Sequence, residues 1–265
     1  MTVILQISDP HFGTEIPAVV EALVALSHEL RPDLVVLSGD ITQRARRAQF
    51  AAARAFVERL GAGRLLAIPG NHDIPLFDVF TRLSDPYAGY RREFGADFAP
   101  RFDAPDCLVL GVKTTRRYRH VDGEISGEQR ARIATELRNA ASSQLRVVVL
   151  HQPVCVPRAS EEHNVVHGNV AAVRAWSEAG ADVLLAGHIH LPFVLPLHDV
   201  MGPLPRPLWA VNAGTAVSRR TRSDAGNSVN VLRTSASDPR VGVVEHWTYA
   251  PASSAFVRAA VLRLD

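Results

Sequence analysis

The sequence predicts an α/β fold, and three observations carry the prediction. Short β-branched or apolar runs alternate with segments of three- and four-residue apolar periodicity from residue 3 to about residue 190, the order of strands and helices in a layered α/β domain. The runs are apolar throughout rather than alternating, as strands covered on both faces are. After Pro192 the texture changes to strand-like segments between Pro, Gly, Ser and Asp turns, which predicts a β-rich C-terminal tail.

Val3–Ile7 is the first run, and it ends in Ser8-Asp9-Pro10-His11. Ile16, Val19, Val20, Leu23, Leu26 and Leu30 then share one helix face, and Pro32 closes the segment. Residues 34–37 form a second strand ending in Ser38-Gly39-Asp40. Phe50, Ala53, Val57 and Leu60 mark a second helix, stopped by Gly61 and Gly63. Residues 64–68 make the third strand, after which Pro69-Gly70 turns the backbone and delivers Asn71, His72 and Asp73 at the strand's C-terminal edge. Periodicity is lost over residues 75–105, read as loop with a short helix near 87–93.

Residues 107–112 are strand-like, and 114–120 form a basic loop with Arg116, Arg117 and Arg119. Residues 128–141 are helical with Ile133 and Leu137 inward, and 144–150 form a strand ending at His151. Val166, Val170, Val173 and Trp176 give a further helix, and Val183–Ala186 a strand before Gly187-His188-Ile189-His190. In the tail, segments 207–211, 228–233, 241–249 and Ala255–Leu264 predict antiparallel strands. Texture breaks nowhere else, so residues 1–265 are read as one domain.

Apolar residues make up 47% of the chain, enough for a sizeable core. A formal net charge of only +2 argues against a broad basic footprint for nucleic acid. Cys107 and Cys155 form no close pair, so neither a disulfide framework nor a thiolate metal site is expected. With no secretory signal pattern and no apolar run of about 18 residues, a cytoplasmic location without a transmembrane segment is expected. The β-rich tail offers an edge through which a homo-oligomer could form.

Metal-type ligands stand at five strand ends: Asp9 and His11, Asp40, Asn71 with His72, His151, and His188 with His190. The carboxyl ends of parallel strands line one crevice, so these residues can converge there. Imidazole, carboxylate and amide donors without thiolate suit two divalent ions such as manganese, iron or zinc. Such a pair shares a bridging carboxylate and clamps the entering and leaving oxygens of a displacement at phosphorus. Phosphoester hydrolysis is the reaction expected.

Asp9-x-His11, Gly39-Asp40, Gly70-Asn71-His72-Asp73, His151 and Gly187-His188-x-His190, in that order, resemble the calcineurin-like metallophosphoesterase superfamily over about residues 3–190. The resemblance implies a four-layer α/β/β/α sandwich of two mixed sheets flanked by helices. It implies that Asp9, His11 and His190 hold one metal, that Asn71, His151 and His188 hold the other, and that Asp40 bridges them. It further implies that His72 protonates the leaving oxygen, with Asp73 orienting it, as a metal-bound hydroxide attacks in line. The run Gly39-Asp40-Ile41-Thr42-Gln43-Arg44 departs from the Gly-Asp-x-x-Asp-Arg-Gly of the phosphoprotein phosphatase branch. The sequence is closer to bacterial hydrolases of small phosphodiesters, of the cyclic-nucleotide or glycerophosphodiester type.

Two alternatives stand beside that expectation. A pyrophosphohydrolase of a nucleotide-linked lipid such as UDP-diacylglucosamine would carry an apolar lid near residues 75–105 or 154–166. A non-enzymatic scaffold would have no reason to keep the ligand set. Arg116 or Arg117 is the expected substrate contact, since guanidinium groups fork onto phosphate oxygens, against the plainer reading of a solvated loop. Cys155, His28, His163, His167, His198 and His246 are read as structural or surface residues, and Arg44, Arg46 and Arg47 as the polar start of a helix.

Overall fold

Alternation along β1 (Val3–Ile7) sets the plan of the molecule in the computed structural model, which describes residues 1–119, 121–235, 238 and 241–265. His120, at the end of the basic loop, lies outside the described residues. Val3, Leu5 and Ile7 face one hydrophobic cluster and Ile4 faces another, as the two-residue period of a strand requires. A strand apolar on both faces must be covered on both, here by helices on one side and a second sheet on the other.

The elements follow as α1 (Pro17–Leu30), β2 (Leu34–Ser38), α2 (Arg47–Arg59), β3 (Leu65–Ile68), α3 (Val79–Ser84), α4 (Ala88–Phe94), β4 (Arg101–Ala104), β5 (Cys107–Gly111) and α5 (Gly127–Arg138). Then come β6 (Leu145–Val149), α6 (Asn169–Ala179), β7 (Val183–Ala186), β8 (Phe193–Pro196), α7 (Leu197–Met201), β9 (Trp209–Asn212), β10 (Ser228–Thr234), β11 (Gly242–Ala250) and β12 (Ala255–Leu264). One sheet has the order β12-β11-β10-β1-β2-β3 and the other β4-β5-β6-β7-β9-β8. Both are mixed: β1, β2 and β3 run parallel, as do β5, β6, β7 and β9, while the remaining pairings are antiparallel.

Three hydrophobic clusters fill the gaps between layers. The first joins the outer face of the β1 sheet to Leu23 and Leu26 of α1 and to Phe50, Ala53 and Phe56 of α2. The second joins Leu108, Val148 and Leu184 of the other sheet to Ile133 and Leu137 of α5 and to Val173 and Trp176 of α6. Ile4, Val36 and Ile68 meet Val109, Val147, Val149 and Leu185 in the third, between the two sheets. Three such gaps make four layers, α/β/β/α.

Local chemistry fixes the helix ends. Pro17 starts α1, and Arg31 in the left-handed region closes it before Pro32. Ser126 caps α5 by accepting from Gln129 N at 3.1 Å, and the Gln129 amide oxygen accepts from Ser126 N at 3.1 Å, a reciprocal capping box.

Three expectations need correction. Segment 207–211 was expected to pair antiparallel, yet β9 runs parallel to β7 and antiparallel only to β8. The intervening β8 and α7 supply the length that a parallel crossover needs. Within 75–105 the structure adds β4, whose Arg101 and Asp103 point outward and hide the strand pattern, and α3, none of whose residues is buried. Val166, counted in the α6 periodicity, is buried ahead of its first turn, and Val170 on α6 is exposed. Among the described residues, no helix is long and apolar enough to cross a membrane.

Asp106, in the turn between β4 and β5, ties the two sheets at the end of β1 opposite Asp9. It accepts from Thr2 N at 2.9 Å, Thr2 Oγ1 at 2.5 Å and Thr234 Oγ1 at 2.7 Å. Partial burial pulls its pKa upward, but these bonds and the N-terminal ammonium override it and hold the carboxyl at about 2. The stabilisation is therefore present above the ordinary carboxylate range and fades as pH falls toward about 2. Asp106→Ala should lower stability by about 1–2 kcal/mol near neutral pH, with the difference shrinking in acid. Thermal unfolding across pH checks this, and an unchanged melting temperature near neutrality would count against the tie.

Candidate metal centre

The turns after β1 and β2 continue the parallel ladder past the strand ends. Asp9 N donates to Gly39 O at 3.1 Å, His11 N to Asp40 O at 3.0 Å and Phe12 N to Ile41 O at 2.9 Å. The β3 turn is bound to them by Asp73, whose carboxylate accepts from Gly70 N (2.8 Å), Ile41 N (3.0 Å), Thr42 N (2.8 Å) and Thr42 Oγ1 (2.9 Å). Packing is so close that a Cβ on Gly70 would strike the Asp40 backbone, and one on Gly39, whose φ is +97°, would strike the His151 ring. Asp9 (φ 50°), His11 (43°), Asp40 (47°), His188 (71°) and His190 (56°) are all left-handed. Each such residue costs about 1–3 kcal/mol, a strain that marks functional sites.

Asp9, His11 and His190 form one group of possible metal ligands, and Asp40, His151 and His188 another, with the ligand atoms of each group within 4.8 Å of one another. His11, Asp40 and His72 form a third group between them. Asp9, His11, Asp40, Asn71 and His151 are buried, and His188 is half-buried.

Hydrogen bonds on the far side of the rings fix which nitrogen faces inward. His151 Nδ1 donates to Ser38 O at 2.9 Å and His190 Nδ1 to Arg220 O at 2.7 Å, leaving each Nε2 as the inward atom. His151 Nε2 then lies 3.1 Å from Asn71 Oδ1 and 3.3 Å from Asp40 Oδ1. His190 Nε2 lies 3.0 Å from His11 Nε2 and 3.3 Å from Asp9 Oδ1. These are acceptor lone pairs turned on one another, an arrangement that needs a cation or a proton at its centre. Asp9 Oδ1, His11 Nδ1 and both ring nitrogens of His188 are buried without a hydrogen bond, as groups reserved for a metal are. The donor set therefore fits divalent cations.

Charge shifts follow the same geometry. Burial drives the imidazoles of His11 and His188 down to about 3, so both are neutral and ready to ligate. Burial also pulls on His151, but the Asp40 carboxylate beside it holds it up at about 9. His190 is likewise raised, by Asp9 against burial. Burial would raise Asp9 and Asp40 in turn, yet His190 and His151 keep these carboxyls well below the usual range. His151 and His190 thus hold a proton more tightly than a free imidazole does.

The family model for calcineurin-like phosphoesterases matches residues 2–192. The chain belongs to that family. A cAMP/cGMP dual specificity phosphodiesterase of Mycobacterium tuberculosis is 29% identical over 173 residues, covering 61% of this chain, and the chain spans about half (49%) of that relative's length. A dimetal phosphatase of Danio rerio has a similar fold, with a TM-score of 0.69 at 14% identity over 99% of this chain and 98% of that one. Purple acid phosphatase PPD1 of yellow lupin superposes with a TM-score of 0.72 at 12% identity over 99% of this chain and 53% of that one. These two likenesses concern the fold.

In this calcineurin-like phosphoesterase, the residues singled out from the sequence separate into two sets. Asp9, His11, Asp40, Asn71, His151, His188 and His190 meet as described, and His72 packs its ring edge-on to His11 with centroids 4.8 Å apart. Asp73 is at the site, but among the described residues it makes no hydrogen bond to the His72 ring. That ring is oriented by Gln43 O, which accepts from His72 Nδ1 at 2.9 Å. The Arg116 guanidinium is spent on Lys113 O, Thr115 O and Gln129 Oε1, and Arg117 reaches Leu83 O. None of their contacts among the described residues is with a ligand side chain. Burial pushes the Cys155 thiol up to about 12, which leaves no thiolate.

Sequence reasoning missed the segment after β9. Thr215 Oγ1 donates to Asp9 O at 2.6 Å and Ala216 N to Ser8 O at 3.0 Å, which seats this segment on the first ligand turn. Arg220 lies on it, with Nη1 at 3.1 Å from His72 Nε2 and 3.2 Å from Gln43 Oε1. The available signal was the strand end itself, since β9 runs parallel to β7 and so finishes at the same crevice.

Because His151 and His190 hold protons more tightly than a free imidazole, metal uptake must displace them. Zinc binding to stripped protein should release protons near neutral pH, and affinity should be weaker at about pH 6 than at about pH 8. Calorimetric titration in buffers of different ionisation heat reads this directly. Heats independent of buffer would contradict the inward-facing nitrogens.

Proposed function

We propose that the chain is a metal-dependent phosphodiesterase acting on a small organic phosphodiester. In this reading Asp9, His11 and His190 hold one divalent ion, Asn71, His151 and His188 hold a second, and Asp40 is shared. The observation that carries it is the convergence of acceptor atoms on His151 Nε2 and His190 Nε2. Manganese, iron and zinc all suit these donors. When bound, the ions supply a nucleophile near neutral pH and neutralise charge developing on the phosphoryl oxygens.

The protein's own part is to place a proton donor. His72 N donates to Asp40 Oδ1 at 2.8 Å, and Nδ1 donates to Gln43 O. Both bonds aim Nε2 toward the ligand cluster. Protonated there, His72 gives its Nε2 proton to the departing oxygen as the phosphorus–oxygen bond breaks. Asp73 acts one step back by binding the β3 turn to the β2 turn.

The relative's cAMP/cGMP activity favours a cyclic nucleotide among small diesters. One observation favours the second reading, a nucleotide-linked lipid pyrophosphate. Phe77, 79% exposed, lines a cleft of about 560 Å³ with Arg44, Arg46, Arg47 and Arg92, and Phe80 on the adjoining α3 is 82% exposed. Arginines beside uncovered aromatics suit an anion carrying acyl chains.

Two measurements test these readings. His72→Ala should keep its metal content and slow diesters with alkyl leaving groups by roughly a hundredfold more than those with nitrophenolate, which needs little protonation. Equal slowing would remove the proton-donor role. Turnover of cyclic AMP exceeding that of UDP-diacylglucosamine is expected, and the reverse order would transfer the assignment to the lipid substrate.

A further inference from the structure

Arg220 lies against the ring that the proposed chemistry needs. Arg220 Nη1 lies 3.1 Å from His72 Nε2 and 3.5 Å from Nδ1, which stacks it over the ring rather than along the Nε2 lone pair, while Gln43 O takes the Nδ1 proton. The guanidinium therefore stands beside the path by which a leaving oxygen reaches Nε2, within reach of the phosphoryl group that oxygen departs from.

The backbone of Arg220 is held in place. Its N–H donates to Ser218 Oγ at 3.2 Å, and Ser218 Oγ lies 2.9 Å from Thr215 Oγ1, which bonds to Asp9 O. Its carbonyl receives His190 Nδ1. The side chain is less committed. Among the described residues, only Nη1 of its nitrogens makes a hydrogen bond, and no carboxylate lies within ion-pairing distance. Neighbouring arginines differ: Arg222 pairs with Glu161 and Asp224, and Arg158 pairs with Asp224. An unpaired cation with free donors at the edge of a site built for further cations is stabilised once an anion lies between them.

Resting on the phosphoesterase reading, we propose that Arg220 is a phosphate-contact residue, whose guanidinium forks onto the non-bridging phosphoryl oxygens as the substrate enters. Arg220 thus binds the anion beside the ring that protonates the leaving oxygen.

Arg220→Ala and Arg220→Lys are made in the wild-type and His72→Ala backgrounds and loaded with manganese. Every variant keeps the carbonyl that orients His190, so metal content and melting temperature should match the parent. Calorimetry with inorganic phosphate should show affinity falling roughly tenfold or more in Arg220→Ala, with partial recovery in Arg220→Lys. With bis(p-nitrophenyl) phosphate, kcat/KM should fall roughly tenfold to a hundredfold in both backgrounds. Unchanged phosphate affinity would overturn the proposal. So would a kinetic loss that vanishes once His72 is already alanine, because Arg220 would then serve only to position His72. If the loaded wild type turns over no diester, the substrate reading fails, while phosphate calorimetry still decides the role of Arg220.

Discussion

Lone pairs that face one another across about a hydrogen-bond length are unfavourable unless positive charge lies between them. His151 Nε2 against Asn71 and Asp40, and His190 Nε2 against His11 and Asp9, make this the governing constraint of the structure. Outer hydrogen bonds to Ser38 O and Arg220 O prevent the rings from relieving it by turning over. The raised affinity of His151 and His190 for protons is one response to the constraint. Divalent cations would meet it with more charge and more ligands.

The sandwich exists in a form that can sustain this opposition. Two sheets, each with parallel strands, bring their carboxyl ends to one crevice, and a buried apolar layer between them keeps the ends in register. Left-handed conformations at five candidate ligand residues are the local cost. Asp73 offsets part of it by accepting four hydrogen bonds from the β2 and β3 turns, and Gly39 and Gly70 allow those turns to touch. Burial and the charge of Asp40 push Asp73 up to about 7, against the backbone N–H groups. A cation on Asp40 would weaken that repulsion, so the metal site and the turn that builds it support each other.

The candidate ligand positions were legible in the sequence because each follows an apolar run, and a buried strand ends where its polar residues begin. The four-layer order needed the family resemblance, since a run apolar on both faces does not say whether a helix or a sheet covers it. Arg116 and Arg117 are expected as phosphate contacts from their place after a strand, a position that carries no sign of what a basic residue binds, and their guanidinium groups meet local carbonyls. Asp73 was expected to serve the neighbouring His72, whereas its partners lie on another strand's turn about thirty positions earlier. Arg220 was hidden by the reading of β9 as part of an antiparallel tail. Parallel pairing with β7 places the following residues beside Asp9, and no local pattern distinguishes the two pairings.

Metal stoichiometry measured together with turnover tests the central claim most directly. Stripped protein is titrated with manganese, and bound ions per chain and hydrolysis of bis(p-nitrophenyl) phosphate are read on the same samples, with Asp40→Ala alongside. The account predicts that two ions bind, that turnover rises with the second, and that the variant loses both the shared binding and the activity. Full turnover in the stripped protein, or a chain that binds no ion, would contradict it.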